Sequence, residues 1–122
     1  MQYMLMFYED PADAARGQDP VHAEAYRGAW MSYIGAMVQA GVFRAGEELA
    51  DARHGTTVRT RQGRRWVQDG PVADTKEHLG GYAVIEVPTL DDAVEWAARS
   101  PSAQGAGATE VRPVQPQPDL PG

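Results

Sequence analysis

Residues 69–82 read Asp-Gly-Pro-Val-Ala-Asp-Thr-Lys-Glu-His-Leu-Gly-Gly-Tyr, and this segment separates two strand-like stretches of the chain. Asp69-Gly70-Pro71 predicts the end of a strand, because Gly permits positive φ and Pro lacks a backbone donor. The residues that follow predict one capped helical turn, with Asp74 at its start and Gly80 just past its end. An apolar strand over residues 82–87 comes next. The segment therefore holds titratable side chains between two strands, where functional sites are common.

The rest of the chain alternates strand and helix patterns around this segment. Residues 2–8 predict a strand, and residues 9–19 predict a loop of variable geometry. Asp19-Pro20 predicts the start of a helix that runs to about Ala40. Further predicted elements are a strand over 42–49, a hairpin of 56–60 and 64–68 with one buried face, a helix capped by Thr89, a Gly/Ala/Ser loop and a strand over 109–114. The helix that ends near Ala40 carries an apolar stripe of Tyr26, Trp30, Tyr33, Ile34, Met37 and Val38 at helical spacing.

The order β-α-β-(hairpin)-β-α-β predicts an α+β, ferredoxin-like fold, an antiparallel sheet with two helices on one face and an inserted hairpin. One layer of helices covers one face of a sheet only. Met4, Met6 and Val84 would meet water on the other face. A homodimer formed by sheet-to-sheet packing is therefore expected. Residues 1–114 are predicted to form one domain, and residues 115–122 a Pro-rich flexible tail.

Composition limits the classes of function. The chain of 122 residues carries a formal net charge of −6, which argues against a nucleic-acid partner. It has no cysteine, which excludes disulfides and thiolate chemistry and is typical of a reducing cytoplasm. The apolar start, residues 1–8, is short and lacks a basic leader, so it predicts a strand rather than a signal peptide. A soluble, cytoplasmic protein without a membrane partner is expected.

The same motif resembles the signature of the DGPF-domain branch of the YCII-related family: Asp-Gly-Pro-Phe, Thr-Lys-Glu, then Leu-Gly-Gly-Tyr. Further similarity lies in Val58-Arg59, in residues 93–97 and in residues 110–114. The resemblance covers roughly residues 1–114, and it implies a dimeric α+β barrel. One departure is Val72, which stands where the family has Phe.

Three residues of the motif are candidates for acid–base catalysis. Asp69 is either a general base, or a group that orients a histidine, or the cap of an Asx-type turn. In a helical turn His78 shares a face with Asp74, whose carboxylate would raise the basicity of the imidazole, whereas the alternative is a solvated turn histidine. Glu77 lies beside His78, and either it or its neighbour Lys76 faces a pocket.

Four residues are candidates for substrate binding: Tyr8, Arg59, Lys76 and Tyr82. Arg59 alternatively forms an ion pair or belongs to a charged hairpin that discourages edge pairing. His22 is more simply a surface or helix-terminal residue. No histidine pair has ligand spacing, and no Gly-rich phosphate loop occurs, so neither a metal nor an organic cofactor is expected.

Two functions follow as hypotheses. The first is a small-molecule enzyme that performs cofactor-free acid–base chemistry, as an isomerase, lyase or cyclase, on a small acidic or aromatic compound. The second is a non-catalytic ligand-binding or regulatory homodimer that uses the same pocket for recognition only.

Overall fold

The computed structural model describes residues 1–73 and 75–118 of the chain. Its strands are β1 (Gln2–Glu9), β2 (Phe43–Glu48), β3 (Thr56–Arg61), β4 (Arg64–Asp69), β5 (His78–Glu86) and β6 (Ala108–Pro113). Its helices are α1 (Pro11–Arg16), α2 (Ala23–Gln39), α3 (Leu90–Ala98) and α4 (Pro101–Gln104), with a 3-10 turn at Ala52–His54. Residues 115–118 of the predicted tail lie outside helices and strands, and residues 119–122 lie outside the described part.

Four strands form one antiparallel sheet in the order β2-β5-β1-β6. β1 is central: Leu5 lies opposite Ala83 of β5 on one side and opposite Val111 of β6 on the other. The pairing of β1 with β5 shifts register between Phe7 and Tyr8. This order, with the two longest helices packed on one face, is the predicted ferredoxin-like fold, and that prediction is confirmed.

The hydrophobic core lies between this sheet and helices α2 and α3. Alternate residues of β1 and β5 point toward the helices because side chains of a strand alternate between its two faces. On the helix side, α2 contributes Tyr33 and Met37, and Tyr33 also donates a hydrogen bond to the carbonyl of Trp96 at 2.8 Å. The buried core residues are Tyr3, Leu5, Phe7, Tyr33, Met37, Ala83, Ile85, Val87, Ala93 and Ala97.

The connection after β1 contains a helix that the sequence interpretation missed. Residues 9–19 were expected to be a loop, yet residues 11–16 form α1. Asp10 caps it by accepting a hydrogen bond from the Ala12 N–H at 2.9 Å, and Pro11 occupies the first helical position. The same Asp-Pro signal had been applied at residues 19–20, but α2 begins only at residue 23. A short helix, α4, likewise lies in the predicted Gly/Ala/Ser loop.

The predicted helical turn at residues 74–80 is wrong for the residues that the structure describes. His78 begins β5, and Gly80 lies within that strand. The ladder on both sides of β5 satisfies the backbone here: His78 lies opposite Glu9 of β1, and the Gly80 carbonyl accepts from the Leu49 N–H at 2.8 Å. A single helical turn gives few hydrogen bonds for the dihedrals it fixes, so sheet pairing prevails. Asp74, the predicted partner of His78, lies outside the described residues.

The predicted hairpin forms, but it stands apart from the main sheet. β3 and β4 make a separate two-stranded sheet, joined by Gln62 and Gly63 with φ of +52° and +77°. Positive φ at both turn residues is typical of a type I′ turn. The prediction that one face is buried is wrong, because Thr57 is the single buried residue of the two strands. The hairpin therefore presents both faces to solvent in one chain.

The sheet face opposite the helices is partly open. Met4, Met6, Tyr82 and Val84 alternate with the core residues and are half-buried. In the sheet they are neighbours, since Met4 pairs with Val84 and Met6 with Tyr82. Over the described residues, the helices are too short or too polar to cross a membrane.

Candidate functional site

A cavity of about 590 Å³ lies between α2 and the helix-facing side of the sheet, near the edge strand β2. Its wall is mostly apolar and aromatic. Phe7 and Trp30 pack edge to face with ring centroids 4.9 Å apart. The ring of the buried Tyr33 also packs against both, with its centroid 6.0 Å from each of theirs. The lining residues are Phe7, Glu9, Tyr26, Arg27, Trp30, Met31, Ile34, Gly35, Phe43, Gly46, Glu47, Glu48, Gly80, Gly81 and Tyr82. A cavity of this size and character suits a small, largely apolar ring compound.

One hydrogen-bonded pair supplies a polar group to this apolar wall. The Tyr26 hydroxyl of α2 donates to Oε1 of Glu9, at the end of β1, at 2.6 Å. Burial, followed by this hydrogen bond, raises the pKa of Tyr26 far above its usual range. The phenol therefore remains neutral and remains a donor at physiological pH. The second carboxylate oxygen of Glu9 accepts no hydrogen bond from residues 1–73 or 75–118, so it can accept a proton or a hydrogen bond from a ligand.

Glycine at position 80 makes room for this carboxylate. A Cβ atom added to Gly80 would lie 2.8 Å from Cδ of Glu9 and 3.0 Å from its Oε1. Side chains essentially never approach a Cβ so closely. Gly80 of the Leu-Gly-Gly-Tyr motif thus allows the Glu9 side chain to pack against β5 while its carboxylate accepts the hydrogen bond from Tyr26. Gly81 plays a different part, because its added Cβ would meet the backbone oxygen of Glu47 at 2.8 Å.

A second cavity of about 450 Å³ adjoins the first. It lies between α1, the start of β5 and the segment after β2, and its wall is more polar. The two cavities share four lining residues, Glu9, Tyr26, Glu48 and Gly80. His78 and Asp51 line only the second one. The Glu9–Tyr26 pair is therefore common to the walls of both cavities.

The charge around the first cavity is negative. Three carboxylates line it, on Glu9, Glu47 and Glu48, against one guanidinium, on Arg27. This imbalance disfavours an anionic ligand and favours a neutral one that donates hydrogen bonds to carboxylate oxygens. Across residues 1–73 and 75–118, no three His, Cys, Asp or Glu side chains form a group that could hold a metal ion.

Two of the seven predicted site residues line these cavities. His78 is half-buried in the wall of the second cavity, and it lies opposite Glu9 in the β1–β5 ladder. Tyr82 is among the residues that line the first cavity, although it alternates with the buried Gly81 and Ala83 on the opposite sheet face. The structure thus brings His78 beside a carboxylate from the first strand of the chain.

The other five predicted residues lie elsewhere. Tyr8 is half-buried on β1 opposite Leu79 and Ala108. Arg59 is exposed on the hairpin, across from Trp66, and Asp69 is exposed at the end of β4 across from Thr56. Glu77 is half-buried, and Lys76 is exposed with its ammonium 3.9 Å from Asp10. None of these five lines either cavity. Asp10 is buried, but the Lys76 side chain is exposed to solvent, so the pair stabilises the fold little. The contact joins the motif segment to the start of α1.

The sequence interpretation missed Glu9 and Tyr26. Tyr26 was assigned to the apolar stripe of the helix, which is correct but leaves its hydroxyl unexplained. Glu9 was placed in a loop, yet the series Tyr3, Leu5, Phe7 continues to position 9 at the period of a strand. A carboxylate on the buried face of a strand was the signal, because such a group requires a partner when it is buried.

Histidine 22 was correctly interpreted as a helix-terminal surface residue. It occupies the N-cap position of α2, and its Nδ1 lies 2.7 Å from Oδ2 of Asp19. This contact lowers the pKa of Asp19. The remaining histidine, His54, is exposed in the 3-10 turn.

Comparison with known proteins gives three findings. A sequence profile of the YCII-related domain matches residues 1–117. "Uncharacterized protein R00369" of Rhizobium meliloti (strain 1021) is 36% identical over 78 residues, a region that spans 63% of each chain. The 5-chloro-2-hydroxyhydroquinone dehydrochlorinase TftG from Burkholderia phenoliruptrix AC1100, solved in complex with 2,5-dihydroxybenzoquinone, is similar in structure with a TM-score of 0.52. The match covers 94% of both chains at 15% identity, so it supports the fold alone.

Proposed function

The chain belongs to the YCII-related family, and from this premise we propose that it is a small-molecule enzyme that performs cofactor-free proton transfer in the first cavity. The observation that carries the proposal is the Glu9–Tyr26 pair in a mostly apolar and aromatic wall. A carboxylate in such a wall can accept a proton from a bound ring compound, and a neutral phenol beside it can donate a hydrogen bond.

The proposed substrate is a neutral aromatic or quinonoid ring that bears hydroxyl or carbonyl groups. Phe7 and Trp30 would contact the ring, and the free oxygen of Glu9 would accept from a hydroxyl or take a proton. Of the two substrate classes expected from the sequence, acidic and aromatic, the negative charge around the cavity favours the aromatic one. The fold similarity to TftG, a dehydrochlorinase, makes proton-transfer-assisted elimination a reasonable reaction to test first.

The roles follow from the geometry. Tyr26 holds Oε1 of Glu9, so Oε2 is the proposed general base. A proton moves from the substrate to Oε2, which leaves a carboxylic acid on Glu9 and an enolate or phenolate on the ring. The aromatic rings of Phe7 and Trp30 would hold the substrate ring beside Glu9, so the transfer between the two groups would be direct.

The test is a screen of hydroxylated benzenes and benzoquinones in which turnover is measured as a change in absorbance. The wild type is compared with three variants. Chlorinated and unchlorinated hydroxyquinols are included because TftG acts on one. Glu9→Gln removes the base and keeps the shape, so it should lower kcat by about 10²-fold or more while the ligand still binds. Tyr26→Phe should lower kcat less. The matched control is His22→Gln, which alters an exposed histidine that lines neither cavity and should leave turnover unchanged. Full activity of Glu9→Gln would exclude the mechanism.

The alternative function is a non-catalytic ligand-binding homodimer, and one observation favours it. The hydrogen bond from Tyr26 occupies one oxygen of Glu9 and fixes the orientation of the carboxylate, which suits recognition as well as catalysis. Under this alternative, compounds of the screen bind to the wild type without any turnover, and Glu9→Gln weakens their binding.

Homodimerisation through the open sheet face remains part of the proposal. Met4, Met6 and Val84 are half-buried in a single chain and form a contiguous apolar strip. A second copy would remove this strip from water. Light scattering coupled to size exclusion tests it, with Met6→Glu as the disrupting variant and Met31→Glu as control, because Met31 is exposed on α2. A monomeric mass for the wild type would contradict the proposed assembly.

A further inference from the structure

The second cavity adjoins the proposed base but has a different character. It is lined by α1 and by the chain after β2, and its polar residues are His78, Asp51 and Gln18, besides the shared Glu9, Tyr26 and Glu48. Nothing in the proposed reaction uses it so far. A base that takes a proton must also release it before the next turnover, and the more polar second cavity offers a route for that step.

The β1–β5 ladder places His78 next to Glu9. The two residues are direct cross-strand partners, just beyond the register shift between Phe7 and Tyr8. Cross-strand partners on one face hold their Cβ atoms about 4.5–5.5 Å apart. Both side chains line the second cavity, so the imidazole and the carboxylate are within reach of each other directly or through one water.

We propose that the second cavity is the proton outlet of the Glu9–Tyr26 pair and that His78 is the group that exchanges the proton with Glu9. This inference rests on the proposed function and deepens it. The protonated Glu9 passes its proton to a ring nitrogen of His78, which becomes an imidazolium. The imidazolium releases the proton to water in the second cavity, and the carboxylate is restored. His78 acts through Glu9, and it is therefore a positioning and transfer residue rather than one that touches the substrate.

The charged surroundings of His78 suit this role. Glu9 faces it from β1, Glu48 from the end of β2, and Asp51 from the segment that follows. The α1 residues of this wall, Pro11, Ala14 and Ala15, are apolar. Two cations also lie close to this wall: Arg53 is 3.7 Å from Asp51, and Lys76, two residues before His78, is 3.9 Å from Asp10.

The test measures proton exchange and needs no substrate. Tyrosines labelled with ¹³C at Cζ report by NMR how fast each hydroxyl proton exchanges with water. If Glu9 and His78 form the outlet, His78→Gln slows exchange of the Tyr26 hydroxyl several-fold. The Tyr33 hydroxyl, which donates to the Trp96 carbonyl in the core, is the internal control and should not change. His22→Gln is the matched histidine control.

A second variant separates proton transfer from packing. His78→Ala should also slow exchange, and imidazole added to the solution should restore it, because a cavity of about 450 Å³ admits an imidazole molecule. Equal exchange rates for Tyr26 in the wild type and His78→Gln, including rates that are fast in both, overturn the inference. Slower exchange without imidazole rescue also overturns it, since it indicates packing alone. A failure to find any turnover in the substrate screen counts against the proposed function and leaves this measurement decisive for the outlet.

Discussion

The substitution Gly80→Ala tests the packing of Glu9 against β5. The new methyl group would lie 2.8 Å from Cδ of Glu9, so the Glu9 side chain must move, and we expect this movement to break its hydrogen bond with the Tyr26 hydroxyl. A hydrogen bond to a charged group contributes about 1.5–3 kcal/mol. Replacing Gly by Ala in a strand returns about 0.5–1 kcal/mol. The free energy of unfolding should therefore fall by about 1–2 kcal/mol, which corresponds to a fall in Tm of roughly 3–8 °C for a domain of this size.

A double-mutant cycle identifies the cause of that fall. Tyr26→Phe removes the same hydrogen bond, so Gly80→Ala should cost nothing more in the Tyr26→Phe background and should even stabilise it. Urea denaturation of the four proteins, followed by circular dichroism, measures the coupling. Gly28→Ala serves as control, because nothing lies within 4 Å of its added Cβ on the exposed side of α2, and it should stabilise the protein by about 0.5–1 kcal/mol. An equal cost of Gly80→Ala in both backgrounds would refute the reasoning.

Three further predictions concern the core, a buried cap and alkaline pH. Met37→Ala removes a fully buried side chain and should lower the free energy of unfolding in urea by about 2–5 kcal/mol. The control Val38→Ala alters a residue that is 56% exposed and should lower it by less than about 0.5 kcal/mol. Similar losses for the two variants would place Met37 outside the core. Ser100→Ala should lower the free energy of unfolding by about 1–3 kcal/mol, because this buried hydroxyl contacts the Ala97 carbonyl and the Thr109 hydroxyl, each at 2.7 Å. An unchanged stability would mean that a water molecule takes the place of the Ser100 hydroxyl. Burial raises the pKa of Tyr33 above its ordinary value near 10. The neutral phenol therefore contributes stability that is complete below about pH 10 and is lost as the pH rises above it. Tyr33→Phe should flatten the fall in the free energy of unfolding between pH 9 and pH 11, and an unchanged fall would contradict this.

The sequence by itself determined the fold class. Tyr3, Leu5 and Phe7 alternate at the period of a strand, and the Tyr26–Val38 stripe repeats at the period of a helix, so local physics sets both elements. Thr89 was predicted as a helix cap, and it accepts from the Asp92 N–H in the structure. The strand-helix order then leaves few topologies, and the ferredoxin-like one is present. The family also followed from residues 69–82, since that motif is specific.

Only the tertiary structure decided which residues form the site. Glu9 and Tyr26 are 17 positions apart, and His78 is 69 positions from Glu9, so no local pattern relates them. Their proximity depends on the register of β1 against β5 and on the packing of α2 over the sheet. The motif misled in one respect. Its helical propensity near His78 is local, whereas this residue is in a strand because it pairs with Glu9 of β1, which is distant in sequence. Strand pairing joins residues that are distant in sequence, and local sequence patterns therefore predict it less well than they predict single helices and strands.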